Sequence, residues 1–320
     1  MPLAKPIEPS ESDEHGEGER PPLGPLLDRE VDRALALLAD MPFEELQDRG
    51  WHLQPNSYPW PLNDVRFLRD NPDLWMRRSL PQGIEWDLNG QEGLARRLAH
   101  HAHELGDVPD RMPAHGAELT WHNGLLSSGD IYAYYGLVRE LVPGRVIEVG
   151  SGWSSLVLAR ALVANHSPVA VTLIEPTPNQ ALLAEFRPQW KLVPHLVQHL
   201  DVHLFEELEA GDLLFYDGSH AARTGGDLNW MLFEVLPRLR PGVWVHFHDL
   251  FWPDDYPSWW ILDEGISWNE QYVLQAFLMH NQAYRVRLAT KMLWLERREA
   301  LAPLFEAGFD GGSLWLEKVA

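Results

Sequence analysis

The chain has 320 residues, 45% of them apolar, and its 47 acidic against 26 basic residues leave a formal net charge of −21. Such a surface repels a phosphate backbone and an anionic membrane, which argues against nucleic acid and membrane partners and favours a neutral or cationic small molecule. The chain lacks cysteine, which excludes disulfides and thiolate metal sites and suits a cytoplasmic protein; it also lacks an apolar run near the roughly 18 residues of a membrane span and the apolar core of a signal peptide.

In chain order, residues 1–25 are proline-rich and acidic, too poor in apolar surface to offset the entropy of ordering, so a disordered acidic tail is expected. Residues 26–48 have helical spacing, with Leu27, Val31, Leu35 and Leu38 on one face. Residues 51–90, rich in proline, asparagine and tryptophan, read as an irregular cap with short helices, Trp51, Tyr58 and Trp60 being candidates to cover a substrate. Helical spacing returns over 91–105, where His100, His101 and His103 read as a solvated face. The 15 tryptophans are either core packing or an aromatic pocket. The expected organisation is an N-terminal helical and irregular cap over 26–125 and a second domain over 126–320.

That second domain alternates. Helix DIYAYYGLVRELV (130–142) leads to strand RVIEVG (145–150), then a helix from Trp153 to Ala164, strand VAVTLIE (169–175), a helix near 178–187 and a strand around LVPHLVQHL (192–200). Strand DLLFYD (212–217), helix GDLNWMLFEVLPRL (226–239), strand VWVHFH (243–248) and a helix over 270–281 follow, and YRVRLAT (284–290) and SLWLEKV (313–319) finish the chain. Near-continuous apolar strands separated by helices imply a parallel sheet covered on both faces. Right-handed crossovers then give a doubly wound, Rossmann-like α/β fold: seven strands, mostly parallel, with an antiparallel edge strand.

Ligands of such sheets bind at the carboxyl ends of the strands. There the sequence EVGSGWSS puts Gly150 and Gly152 in a strand-to-helix turn. A dinucleotide fingerprint wants a third glycine where Ser155 stands. Glu148, two residues before Gly150, would face a pyrophosphate unfavourably but suits a ligand with an ammonium and a sulfonium, such as S-adenosylmethionine (SAM). Glu175 closes the second strand, where a carboxylate can take both ribose hydroxyls. Asp201 follows the third strand, within reach of an adenine amino group, and Asp217 ends the fourth beside the reactive end of the ligand.

Together, VIEVGSGWSS, VTLIEP, LLFYDGSH and VHFHD, in that order, resemble the class I SAM-dependent methyltransferases. More narrowly, DGSH, EVLPRLRPG, HFHD, PDDYP (253–257) and WNEQYVLQAFL (268–278) resemble the bacterial Methyltransf_24-type family; GQEGLARRL (90–98) and SYPWPLND (57–64) do so more loosely. The resemblance covers roughly residues 50–295. It implies a SAM site made from Glu148, Gly150, Gly152, Glu175 and Asp201, with Ser151, Ser154 and Asp217 alongside, and it names no substrate. Trp153 departs from the expected pattern and thickens the pocket wall.

Methyl transfer from a sulfonium is an in-line displacement that needs a positioned nucleophile and an acceptor for its proton. Asp217 and His220 follow the fourth strand; His248 and Asp249 follow the fifth. His246 and His248 share a face by the period of two, His246 reading as a core histidine. With a pKa near ~6.5 when unperturbed, His220 or His248 suits the role of base, oriented by Asp217 or Asp249. The same carboxylates with a histidine could instead hold a divalent cation that acidifies an acceptor hydroxyl. The resemblance also singles out Glu270 and Tyr272 at the start of the next helix. Four readings remain open: a small-molecule O- or N-methyltransferase, homo-oligomeric or not; a SAM-binding enzyme with other chemistry, such as SAM cyclisation, SAM cleavage or metal-dependent hydroxylation; a non-catalytic binding protein; and an NAD dehydrogenase.

Overall fold

The computed structural model describes residues 25–54, 57, 59–111, 118–179 and 190–320. The expected acidic tail, Tyr58 and most of the helix expected near 178–187 lie outside the described residues. The chain divides into two compact units, Met1–Asp64 and Val65–Ala320. In the first, helices α1 (Pro25–Ala39) and α2 (Phe43–Asp48) replace the single helical stretch expected over 26–48. Pro42 separates them, because a proline has no N–H to continue the helical ladder. Val31, Leu35 and Leu38 are exposed, as are Trp51 and Trp60, while Leu46 is buried.

The second unit is built on seven strands: β1 (Arg145–Val149), β2 (Ala170–Ile174), β3 (Lys191–Val193), β4 (Leu213–Tyr216), β5 (Trp244–Phe247), β6 (Tyr284–Ala289) and β7 (Leu314–Lys318), in the order β3-β2-β1-β4-β5-β7-β6. All pairings from β3 to β5 are parallel, and β7 runs antiparallel to both neighbours, inserted between β5 and β6. The expected doubly wound sheet is therefore present, with its antiparallel pairing at the β6 side. β3 is shorter than the sequence pattern suggested. Pro194 ends it, since a proline cannot donate to the ladder, and a helical turn follows at Val197–His199. Likewise the helix expected over 226–239 is split into Asp227–Trp230, a wider turn Met231–Val235 and Leu236–Arg238, around the donor missing at Pro237.

Period-two alternation divides the core between the two faces of the sheet. Val146, Leu213, Phe215, Trp244 and Trp315 join helices α4 (Leu88–Leu98), α5 (Ser128–Leu141) and α6 (Trp153–Asn165) in one buried cluster. Ile147, Leu214, Tyr216, Val245, Phe247 and Leu316 join Leu274 and Leu278 of α7 (Glu270–Leu278) in the other; α8 (Thr290–Leu301), which runs between β6 and β7, lends Leu293 to the first cluster and Met292 to the second. The short helix α3 (Val65–Asp70) begins this unit. Among the described residues no helix is long and apolar enough to cross a membrane.

Glu104 ties the helical turn after α4 to α5. It accepts from Arg139 Nε at 2.8 Å and Nη2 at 3.0 Å, and from the Tyr135 hydroxyl. The Arg139 hydrogen bonds pull its pKa down to about 2. A depressed carboxylate contributes stability that is present above its unfolded pKa and is lost as pH falls through the folded value. Glu104→Gln should therefore cost about 1–2 kcal/mol at neutral pH. The gap from wild type in thermal midpoint should narrow as pH falls from about 4.5 through about 2; a gap that does not narrow over that range contradicts this.

Candidate active site

The strand order reverses between β1 and β4, so the carboxyl ends of these two strands border the crevice where ligands of open α/β sheets bind. Gly150 lies in that crevice with φ +83°, and a Cβ built on it would come 2.1 Å from the carbonyl oxygen of Asp217. The glycine is thus required by the close approach of the two strand ends, which Asp217 N–H also bridges by donating to the Val149 carbonyl at 2.9 Å. At Gly152 a Cβ would meet nothing within 4 Å, which leaves open space above the first turn of α6.

The residues expected to hold the cofactor surround this turn unevenly. Glu175, half-buried at the end of β2, accepts from Ser151 N at 3.4 Å and from Thr177 N at 2.8 Å. Asp201 is exposed and accepts from His203 N at 3.0 Å, heading the helical turn that follows. Glu148 lies wholly buried beneath the turn. Its carboxylate is occupied by the Ser154 hydroxyl, the Ser155 hydroxyl at 2.9 Å and the Tyr134 hydroxyl at 3.4 Å. Burial pushes its pKa up to about 7 against the pull of those hydroxyls.

Beside the turn, five of the expected catalytic residues come together. His220, 6% exposed, has Nδ1 2.7 Å from Glu270 Oε2, and Nε2 3.2 Å from Asp217 Oδ1 and 3.6 Å from Asp249 Oδ2. His248 has Nδ1 3.4 Å from Asp249 Oδ1 and 3.9 Å from Asp217 Oδ2. Burial disfavours a charged His220, but its bonds to Asp217 and Glu270 outweigh this and push its pKa up to about 10. Burial likewise opposes the charge of Asp217, and the two histidines overcome it and hold that carboxyl well below the usual range. Asp217, His248 and Asp249 each offer one ligand atom within 4.8 Å of the others, a mixed oxygen and nitrogen set that fits a divalent cation; no other such group of three occurs among the described residues.

The backbone at this cluster is strained and clamped. His220 and Asp249 both have φ +56°, a left-handed conformation that costs about 1–3 kcal/mol each in non-glycine residues and concentrates at functional sites. Asp227, which sequence reasoning passed over, takes Ser219 N–H at 2.8 Å, the Ser219 hydroxyl and the Tyr216 hydroxyl at 3.1 Å. Asn269, also passed over, accepts from Ala222 N at 2.7 Å, and the N–H groups of Asn269 and Glu270 donate to the His220 carbonyl at 3.1 and 3.2 Å. These bonds lock the DGSH turn to the start of α7. Trp268 lies against the His220 ring with centroids 4.2 Å apart. A run of consecutive motif residues, WNEQY, was the only signal for these partners; their contacts with the DGSH turn come from the fold.

The remaining expectations separate. Tyr272 is half exposed and its hydroxyl donates to Asp255. His246 is fully buried, stacked on Phe215 with centroids 3.8 Å apart, and its Nε2 lies 3.0 Å from the Ser313 hydroxyl. His101 and His103 are engaged locally, with Glu104 at 3.3 Å and the His100 carbonyl at 2.9 Å.

Residues 147–250 match the Methyltransf_24 family, described as a methyltransferase domain. An uncharacterized protein of Archaeoglobus fulgidus is 28% identical over 165 residues, which cover 48% of this chain and 73% of that protein. Among solved structures, the S-adenosylhomocysteine (SAH)-bound methyltransferase PaMTH1 of Podospora anserina gives a TM-score of 0.39 at 15% identity, over 83% of this chain and 100% of that one. The plantazolicin methyltransferase BpumL in complex with SAH gives 0.37 at 12% identity, over 73% and 98%.

Proposed function

We propose, from the premise that residues 147–250 form a SAM-dependent methyltransferase domain, that the chain moves the sulfonium methyl to an oxygen or nitrogen of a small molecule and that His220 takes the displaced proton. The observation that carries this reading is the buried His220 ring held between Glu270 at 2.7 Å and Asp217 at 3.2 Å, next to the crevice. Glu270 accepts the hydrogen bond from Nδ1–H and orients the ring, which leaves Nε2 on the side of Asp217 and Asp249. As the acceptor's lone pair bonds to the methyl carbon, the carbon–sulfur pair goes to sulfur, giving neutral SAH, and the acceptor's O–H or N–H proton passes to Nε2. The crevice carboxylates favour a positively charged cofactor over a dinucleotide, and the cysteine-free composition fits action in the cytoplasm.

Only the neutral form of His220 accepts a proton. With its pKa raised to about 10, most of the free enzyme at neutral pH carries the proton already. In metal-free buffer kcat/KM should therefore climb with pH, levelling off near about 10, and His220→Asn should abolish that limb. A profile that is flat from pH 7 to 10 contradicts the assignment. The Asp217, His248 and Asp249 cluster supports a second reading, in which a bound divalent cation acidifies the acceptor hydroxyl. Exhaustive chelation that leaves turnover intact argues against that reading alone.

The reaction class is tested by incubating the protein with SAM and candidate acceptors. SAH that forms only when acceptor is present supports methyl transfer. Methylthioadenosine released without acceptor supports cleavage or cyclisation of SAM instead.

A further inference from the structure

Asp130, in the first turn of α5, is 1% exposed and is held from three sides. Its Oδ1 accepts from Ser313 N at 2.8 Å and from the Thr290 hydroxyl at 3.2 Å; its Oδ2 accepts from Gly312 N at 3.1 Å. The donors come from the start of α8 and from the turn 311–313 that leads into β7. A Cβ on Gly311 would meet Asp130 Oδ1 at 2.3 Å, and one on Gly312 would meet Asp249 Cα at 3.2 Å. The double glycine thus lets the chain thread between Asp130 and Asp249. Such a carboxylate is rigidly aimed. It faces His248, whose buried Nε2 lies within ion-pair distance of Asp130 Oδ2, at 3.4 Å, and has no hydrogen-bond partner among the described residues.

We infer that Asp130 is a positioning residue for His248, anchoring Nε2–H in the core so that Nδ1 is presented to Asp217 and Asp249. A neutral imidazole carries one N–H, and the partner of one nitrogen decides what the other can do. With Nε2–H committed to Asp130, Nδ1 turns a lone pair toward two carboxylates, and that convergence of acceptors is stable only around a positive charge. The charged and titratable groups that face the ring are Asp130, Asp217 and Asp249, with the His246 ring 5.7 Å away. Burial works against the charge of Asp130, and His248 outweighs it, holding that carboxyl below its usual range in agreement with the contact. The geometry stands apart from the methyl-transfer reading; only its catalytic consequence rests on that reading.

Histidine-15N spectra of the full chain test the inference, with the His248 signals identified by their loss in His248→Gln. In wild type, His248 should carry a proton on Nε2. Asp130→Asn should lose this preference. It should also weaken binding of Mn2+, used as the probe and read by water-proton relaxation, about 10–100-fold, with SAH affinity within about threefold of wild type. A wild-type His248 without a proton on Nε2 overturns the inference, as does equal Mn2+ affinity in the two proteins, including no binding in either. Should Asp130→Asn fail to fold, Thr290→Val removes one of the restraining donors, and its His248 signals should move the same way by less; unchanged signals there also overturn it. A chain with Nε2–H anchored but without methyl transfer sinks the proposed function and leaves this assignment standing.

Discussion

Replacing His220 by asparagine should lower kcat about 10²–10⁴-fold while SAH binds within about twofold of wild type. Asparagine is the informative substitution because it tolerates the left-handed backbone that His220 adopts, at φ +56°. The hydrogen bonds that Asn269 and Glu270 donate to the carbonyl of residue 220 then survive, so the DGSH turn stays tied to α7. What disappears is the imidazole between Asp217 and Glu270. Glu270→Gln should fall between wild type and His220→Asn, since it removes the orienting charge but leaves the ring. Turnover of His220→Asn equal to wild type with the true acceptor would end the role of His220 as proton acceptor.

The second large effect belongs to the glycine turn. Gly150→Val should cost about 3–5 kcal/mol of stability, from the left-handed backbone and the forced separation of two strand ends, and weaken SAH binding at least about a hundredfold. The Cβ at position 150 would sit 2.1 Å from the Asp217 carbonyl, a backbone atom that cannot move without shifting β4 and, with it, His220. Gly152→Ala is the internal control. Its Cβ meets no protein atom within 4 Å and φ is −172°, so stability should change little. Any loss of SAH affinity at position 152 then reports the ligand itself. The measurements are thermal unfolding and calorimetric titration of both variants; a Gly150→Val protein as stable as wild type would show that the strand ends are not packed as described.

These two predictions draw on residues of different legibility. The glycine turn, the carboxylates at the strand ends and the histidines after β4 and β5 were readable because alternating apolar strands and helices place every strand's carboxyl end on one edge. The fate of Glu148 was not readable. Its spacing to Gly150 suggested a ligand contact, but Ser154 and Ser155, one helical turn on, fold back onto the carboxylate beneath the turn. Asp130 stood only as the first residue of the helix expected from position 130; its pairing with His248 depends on α5 lying on the His248 face and on the double glycine at 311 and 312. Neither fact has a local signal. The shortened β3 was legible in principle from Pro194, whereas the insertion of β7 between β5 and β6 reflects long-range pairing that periodicity does not encode.

Methyl transfer by this chain requires the crevice between β1 and β4 to take a sulfonium nucleoside. Calorimetric titration of the full chain with SAM, SAH and NADH in turn tests this most directly. Saturable heat from SAM and SAH at one site per chain, absent in Gly150→Val, with none from NADH, is the predicted result. Tight binding of NADH together with no heat from SAM or SAH would contradict it.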